Sequence, residues 1–193
     1  MSNHIEVNLK RVIEQIGEEG AKSLLSDYSC PLNAEIEEFL KEKAVDFYKK
    51  GIASTHLVYT HSGESQVLVG FYALAMKPVR IKGQRLSSTW RRRMERFSEY
   101  DVDTGSYWVA LPLLGQLGKN YTNGYDQMIS GKELLDIACS RIQMVQAEVS
   151  GKMAYLECKD KKKLVDFYEG NGFHQFERRE TDDGVLIQLI KYF

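Results

Sequence analysis

Ser130-Gly131-Lys132-Glu133 stands directly ahead of an apolar stripe at Leu134, Leu135, Ala138, Ile142, Val145 and Val149. A hydroxyl residue at the start of a helix and a glutamate three positions on can each satisfy the other's free backbone N–H. The stripe repeats at three and four residues, the spacing of one helix face, and Gly151 closes it. The pattern predicts a long helix whose start is fixed to the residue. An apolar run at 107–117 precedes it and a short buried-type run at 153–158 follows, so the helix connects two strands and the chain reads as a layered α/β domain.

The remaining segments extend this reading. Ile5, Leu9, Val12, Ile13 and Ile16 predict an extra amphipathic helix over about 5–20, ended near Gly17 or Gly20. Asn33 can cap a second helix carrying Ile36, Phe39, Leu40, Ala44 and Phe47, stopped by Gly51 after Lys49 and Lys50. Residues 55–59 and 66–74 read as strands joined through His61-Ser62-Gly63-Glu64. The polar stretch 77–96 holds Pro78 and Gly83 and reads as a loop, or a short strand plus a helical turn. Pro112 inside the 107–117 run predicts a bulge or an edge position. Asp160 can cap a helix through Glu169, and 173–179 with 185–192 flank the hairpin signal Asp182-Asp183-Gly184. The expectation is one mixed α/β domain over 1–193, without repeats or low-complexity linkers.

Composition narrows the class of function. With 26 Lys+Arg against 27 Asp+Glu in 193 residues, the formal net charge of −1 excludes a surface that is basic all over. Cys30, Cys139 and Cys158 are far apart, form no CxxC pair and have no histidine at ligand spacing. That argues against a disulfide framework or a metal site and for a reducing, cytoplasmic setting. No apolar run approaches the roughly 20 residues that span a bilayer, and the polar start lacks the apolar core of a signal peptide.

Two units carry chemistry. The Ser130 helix start offers free N–H groups and a helix dipole, which attract phosphate, and Gly131 lets a ligand approach the backbone. Phe167-Tyr168-Glu169-Gly170-Asn171-Gly172-Phe173 places an aromatic pair at a helix end before a glycine turn, with Phe167 and Phe173 expected in the core and Tyr168 half exposed. In this order the two units resemble the GNAT superfamily of acyl-CoA-dependent N-acetyltransferases, over roughly residue 24 to the C-terminus. Leu68-Val69-Gly70-Phe71-Tyr72-Ala73-Leu74 and Leu114-Gly115-Gln116-Leu117-Gly118 match its central strands. Gly131-Lys132-Glu133-Leu134-Leu135 matches the turn after its pyrophosphate loop, and the Phe167–Phe173 segment its FYExxGF ending, the sharpest match.

The resemblance implies a central mixed, mostly antiparallel sheet flanked by helices and splayed at the acyl-CoA strand, with acetyl-CoA as acyl donor. It implies that main-chain N–H groups near Leu117, Gly118 and Lys119 face the thioester carbonyl, and that amides of Ile129, Ser130, Gly131 and Lys132 hold the pyrophosphate. Lys161 stands where the family has an asparagine beside the cofactor arm. Tyr168 stands where the family's tyrosine protonates the departing sulfur. Asp126, Gln127 and Ile129 depart from the family's glycine-rich loop. The general base is open among Glu157, Asp101, Asp103, Glu99 and a water chain, with Glu157 favoured; the histidines and Cys158 read as structural or exposed.

Residues 77–96 hold eight basic residues and one acidic one, Glu95. They read either as a solvated face or as a site for an anionic partner: the 3′-phosphate of coenzyme A, an acidic substrate held at Trp90 and Arg91, or an RNA backbone with Trp90 as a stacking platform. The expected reaction transfers acetyl to a primary amine on a small molecule, a peptide or a tRNA. Alternatives are a toxin-type enzyme acting on aminoacyl-tRNA and a non-catalytic ligand-binding module. The apolar C-terminal hairpin offers an edge for a homodimer.

Overall fold

The computed structural model describes residues 4–193. Its strands are β1 (Ile5–Asn8), β2 (Ser54–Ser62), β3 (Ser65–Lys82), β4 (Tyr100–Asp101), β5 (Ser106–Lys119), β6 (Met153–Lys159), β7 (His174–Thr181) and β8 (Gly184–Tyr192). Its helices are α1 (Leu9–Leu25), α2 (Ala34–Glu38), α3 (Ala44–Lys49), α4 (Ser88–Met94), α5 (Gly131–Val149) and α6 (Lys162–Gly170), with a π-helical turn at Phe39–Lys43 between α2 and α3. The eight strands form one mixed sheet in the order β1-β2-β3-β5-β6-β8-β7, with β4 paired to β5. The pairs β1–β2, β2–β3, β4–β5, β6–β8 and β7–β8 are antiparallel, whereas β5 and β6 run parallel.

The chain divides into two compact units. The first takes residues up to Ala75 together with Leu114–Cys139; the second takes Met76–Leu113 together with Ser140–Phe193. In the first, Leu9, Val12, Ala21 and Leu25 of α1, Phe39 and Leu40, Ala44 and Val45 of α3, and Leu57, Phe71 and Ala73 of the sheet form one apolar core. In the second, Val79, Ile81, Trp90, Met94, Tyr107, Val109, Leu111, Met153, Tyr155, Phe176 and Ile190 form another.

Several expected elements change on folding. The helix expected over 5–20 starts later: Ile5–Asn8 is a strand on β2, and the Asn8 side chain accepts from Lys10 N to cap α1. An edge strand and a helix face both tolerate the same apolar spacing, and the cap decides where one gives way to the other. Gly17 breaks the helical φ/ψ with φ +75° without ending α1. The stretch expected to be a loop continues β3 through Pro78 to Lys82, then makes a 3-10 turn at Gly83–Arg85 and the Ser87-capped helix α4. Alternation explains the strand: Val79 and Ile81 point into the core while Arg80 and Lys82 face water.

Candidate functional site

In the first unit, the end of β5 and the start of α5 are held by side chains distant in sequence. The buried Tyr28 hydroxyl donates to Lys119 O (2.9 Å), and burial raises its phenol well above the ordinary range. Asn120 anchors the next residue: its N–H donates to Val69 O (2.8 Å) and its Nδ2 to Leu68 O (2.8 Å), while its Oδ1 accepts from Ser29 N and Thr122 N. Gly118 is required here for space. A Cβ on it would lie 2.5 Å from Ile36 Cγ2 and 2.5 Å from the Tyr28 hydroxyl. The strand end at Leu117, Gly118 and Lys119 is thus fixed by packing, which suits preorganised N–H donors.

Residues Thr122–Met128 then turn in a 3-10 helix broken by the left-handed Asn123 and Gly124. Lys119 Nζ donates to Asp126 O at 2.8 Å and lies 4.0 Å from its carboxylate. Ile129 is buried, and the capping box closes as expected: Glu133 N donates to Ser130 Oγ (3.1 Å), and Ser130 N to Glu133 Oε2 (2.8 Å). Gly131 and Lys132 open the helix, where N–H groups have no acceptor within the helix itself.

A polar cluster also ties β1 to β2. His56 Nδ1 lies 2.9 Å from Glu6 Oε1, its Nε2 lies 3.2 Å from Ser54 Oγ, and its ring stacks on Tyr72 at 4.9 Å. His56 is buried and structural.

In the second unit, Tyr168 is half-buried near the end of α6. Its ring meets Phe167 at 5.1 Å and Phe173 at 5.8 Å, both edge to face. The helix end is closed by Gly172 N and Phe173 N, donating to Glu169 O and Tyr168 O, and Gly172 takes φ +85°, which favours glycine. Lys161 is exposed at the start of α6, its N–H donating to Lys159 O.

Glu157 is the sharpest departure from expectation. It accepts from Arg179 Nε and Nη2, Tyr155 Oη, Gln188 Nε2 and Lys77 Nζ. Burial works against its charge, but the Arg179 fork, then Tyr155 and Gln188, then the Lys77 charge outweigh it and hold the carboxyl at about 2. A carboxylate that weakly basic takes up a proton poorly near neutral pH, so the general-base role does not suit Glu157. The cluster was readable only through strand pairing: Tyr155 and Glu157 share a face of β6, and Gln188 is the register partner of Glu157. Cys158 is buried; burial, then the Asp160 charge, pushes its thiol up to about 11, so it is no thiolate nucleophile. Asp101 closes its own turn, accepting from Thr104 Oγ1 and N and from Asp103 N.

The basic segment splits in two. Trp90 is core rather than platform: it is 9% exposed, stacks on His174 at 5.5 Å and carries Arg93 at 5.0 Å. Burying an indole repays far more than exposing it, and α4 turns that face inward. Arg91, Arg92 and Arg96 remain exposed. The exposed tryptophan is instead Trp108 of β5, 54% accessible with the Arg80 guanidinium 5.8 Å from its ring. Among the described residues no cluster of three or more potential metal ligands occurs, and no helix is long and apolar enough to cross a membrane.

No protein-family model and no curated protein matches the chain. Solved structures do. AtaT complexed with acetyl-methionyl-tRNAfMet superposes with a TM-score of 0.65 at 15% identity, covering 95% of this chain and 93% of that one. A tyrosine-to-phenylalanine mutant of KacT gives 0.65 at 14% identity, covering 97% and 94%. AtaTR bound with acetyl-CoA gives 0.59 at 14% identity, covering 98% and 94%. The mixed eight-stranded sheet flanked by helices is the fold of these GNAT-type acetyltransferases.

Proposed function

We propose that the chain is an N-acetyltransferase that moves acetyl from acetyl-CoA to a primary amine. The observation that carries the reading is the pairing of a nearly full-length likeness to a structure bound with acetyl-CoA with the local geometry at Gly118 and Ser130. In this reading Leu117, Gly118 and Lys119 present N–H groups to the thioester carbonyl, while Ile129, Ser130, Gly131 and Lys132 receive the pyrophosphate and Lys161 lies along the cofactor arm.

The acceptor nitrogen forms a bond to the carbonyl carbon and the C–S bond breaks. The Tyr168 phenol gives its proton to the departing sulfur, the ammonium proton on the new amide nitrogen leaves to solvent, and solvent returns a proton to the Tyr168 phenolate. A phenol with an ordinary pKa of about 10 serves a thiolate whose conjugate acid is near 8.5 when the two are held close. Free amine is then delivered by water rather than by Glu157. Incubating the protein with acetyl-CoA and amine libraries while following free thiol tests the reading; absence of coenzyme A binding by calorimetry overturns it.

A second reading concerns the acceptor. Two separate surfaces offer contacts of this kind: Arg91, Arg92 and Arg96, exposed around α4, offer cations for phosphates, and on the other face of the sheet Trp108 beside Arg80 offers an aromatic face for a base. Together with the likeness to a complex containing acetyl-methionyl-tRNAfMet, this favours a tRNA-linked amine over a small-molecule or peptide amine. A cytoplasmic location and a homodimer belong to the same proposal. Growth arrest on expression, relieved by Tyr168→Phe, supports the tRNA reading; undisturbed growth counts against it.

A further inference from the structure

We infer that Asn120, backed by the Tyr28 hydroxyl, is a positioning residue for acyl transfer: it clamps the end of β5 to β3 and so aims the strand-end N–H groups at the thioester carbonyl. The inference rests on the acetyltransferase reading. Asn120 is 4% exposed, and a side-chain amide so deeply buried must find its partners within the protein. Its N–H and Nδ2 donate to consecutive carbonyls of β3, Val69 O and Leu68 O, both at 2.8 Å. Its Oδ1 accepts at 3.1 Å from Ser29 N, in the connection after α1, and at 3.1 Å from Thr122 N in the following turn. The connection after α1 also grips the strand end directly. Tyr28 Oη donates to Lys119 O, Tyr121 N donates to Ser29 O (2.8 Å), and Thr122 Oγ1 donates to Asp27 O.

Peptide geometry converts this clamp into a direction. The C=O and N–H of one trans peptide point oppositely. Asn120 N–H is turned to Val69, so Lys119 C=O projects away from β3, where the Tyr28 hydroxyl meets it. Gly118 O lies against β3, 2.8 Å from the position of a Cβ on Gly70, so the Lys119 N–H projects away from β3 as well. With one edge of the strand end tied to β3, the opposite edge presents Lys119 N–H in a fixed direction. A donor fixed before the acyl donor arrives needs no reorganisation as negative charge develops on the carbonyl oxygen.

Infrared spectra of bound acetyl-CoA, isotope-labelled at the thioester carbonyl, test the inference without needing the acceptor. The wild-type chain should lower the carbonyl stretching frequency relative to free acetyl-CoA, the mark of a hydrogen-bond donor on that oxygen. Asn120→Asp keeps the acceptor for Ser29 N and Thr122 N but sets a carboxylate oxygen against Leu68 O; Tyr28→Phe removes the donor to Lys119 O. Each should lose about half or more of the downshift. Acetyl-CoA binding by calorimetry should weaken by no more than about tenfold, the worth of one hydrogen bond. Val45→Ala removes methyl groups from the core of the same unit on α3 and keeps every hydrogen bond of the clamp, so it should retain the full downshift despite a lower thermal midpoint. A full downshift in either clamp variant, once folded, overturns the inference; should Asn120→Asp not fold, Tyr28→Phe decides. Loss of the downshift in Val45→Ala also overturns it, because general loosening is then the cause. Wild-type binding with no downshift overturns it too and leaves acetyl-CoA binding standing. No acetyl-CoA binding by the wild-type chain overturns the acetyltransferase reading itself.

Discussion

Arg179 on β7 reaches past β8 to Glu157 on β6, its Nε and Nη2 meeting the two carboxylate oxygens at 3.0 and 2.9 Å. Strands that do not pair are thereby joined by a two-point charge-assisted fork, the strongest common geometry for such a pair. Glu157 lies at about 2 folded against 4.5 for the ordinary carboxyl. A depressed carboxyl adds stability that is complete above its unfolded pKa and is lost as pH falls from about 4.5 to about 2. The contribution is about 3 kcal/mol. Glu157→Gln should lower stability by roughly that amount at pH 7, and the difference between the two proteins should shrink as pH falls through that window. Urea unfolding at pH 7, 4 and 3 measures it; a pH-independent gap would contradict the assignment.

Gly118 admits no side chain. With Ile36 Cγ2 and the Tyr28 hydroxyl each 2.5 Å from the position of a Cβ, Gly118→Ala forces the Tyr28–Lys119 hydrogen bond or the Ile36 packing to give. A loss of about 2 kcal/mol follows, or a midpoint drop of roughly 4–8 °C for a chain this size. Tyr28→Phe combined with Gly118→Ala should recover part of it, because the clashing oxygen is gone.

The two tryptophans should separate cleanly. Trp90→Ala empties a core site and should cost about 3–5 kcal/mol. Trp108→Ala, on the exposed face, should change stability by less than about 0.5 kcal/mol yet weaken binding to aminoacyl-tRNA if that is the acceptor. Thermal melts and filter binding distinguish the pair, and equal destabilisation by both would refute the placement.

Tyr168→Phe removes the phenolic hydroxyl and keeps the ring, whose edge-to-face contacts to Phe167 and Phe173 survive. The expected result is a kcat lower by roughly 10²- to 10⁴-fold with KM for acetyl-CoA changed little. A wild-type rate would take the acid role away from Tyr168.

Local features were legible from the residues alone. The Ser130–Glu133 box closes as a box, Asn33 accepts from Glu35 N at the start of α2, and Gly63 and Gly184 take positive φ in the hairpin turns. These depend on a few adjacent residues, whose short-range hydrogen bonds and steric limits are the same in any fold. The order of strands and helices followed from apolar periodicity, because burial of one face is required wherever the element ends up. The first strand was missed because Ile5 and Leu9, four residues apart, fit either period.

The second class of facts belongs to tertiary structure. Glu157 looked like a free base until Arg179, Gln188 and Lys77, far away along the chain, were brought against it. Trp90 sat among arginines in the sequence but folds beneath them onto His174, leaving Trp108 outside. Charge state and burial are set by everything within a few ångströms, and in a mixed sheet those neighbours come from strands paired at long range. The sequence by itself therefore determined where elements begin, turn and cap; only the assembled sheet decided which carboxylate is locked, which indole is buried and which glycine cannot change.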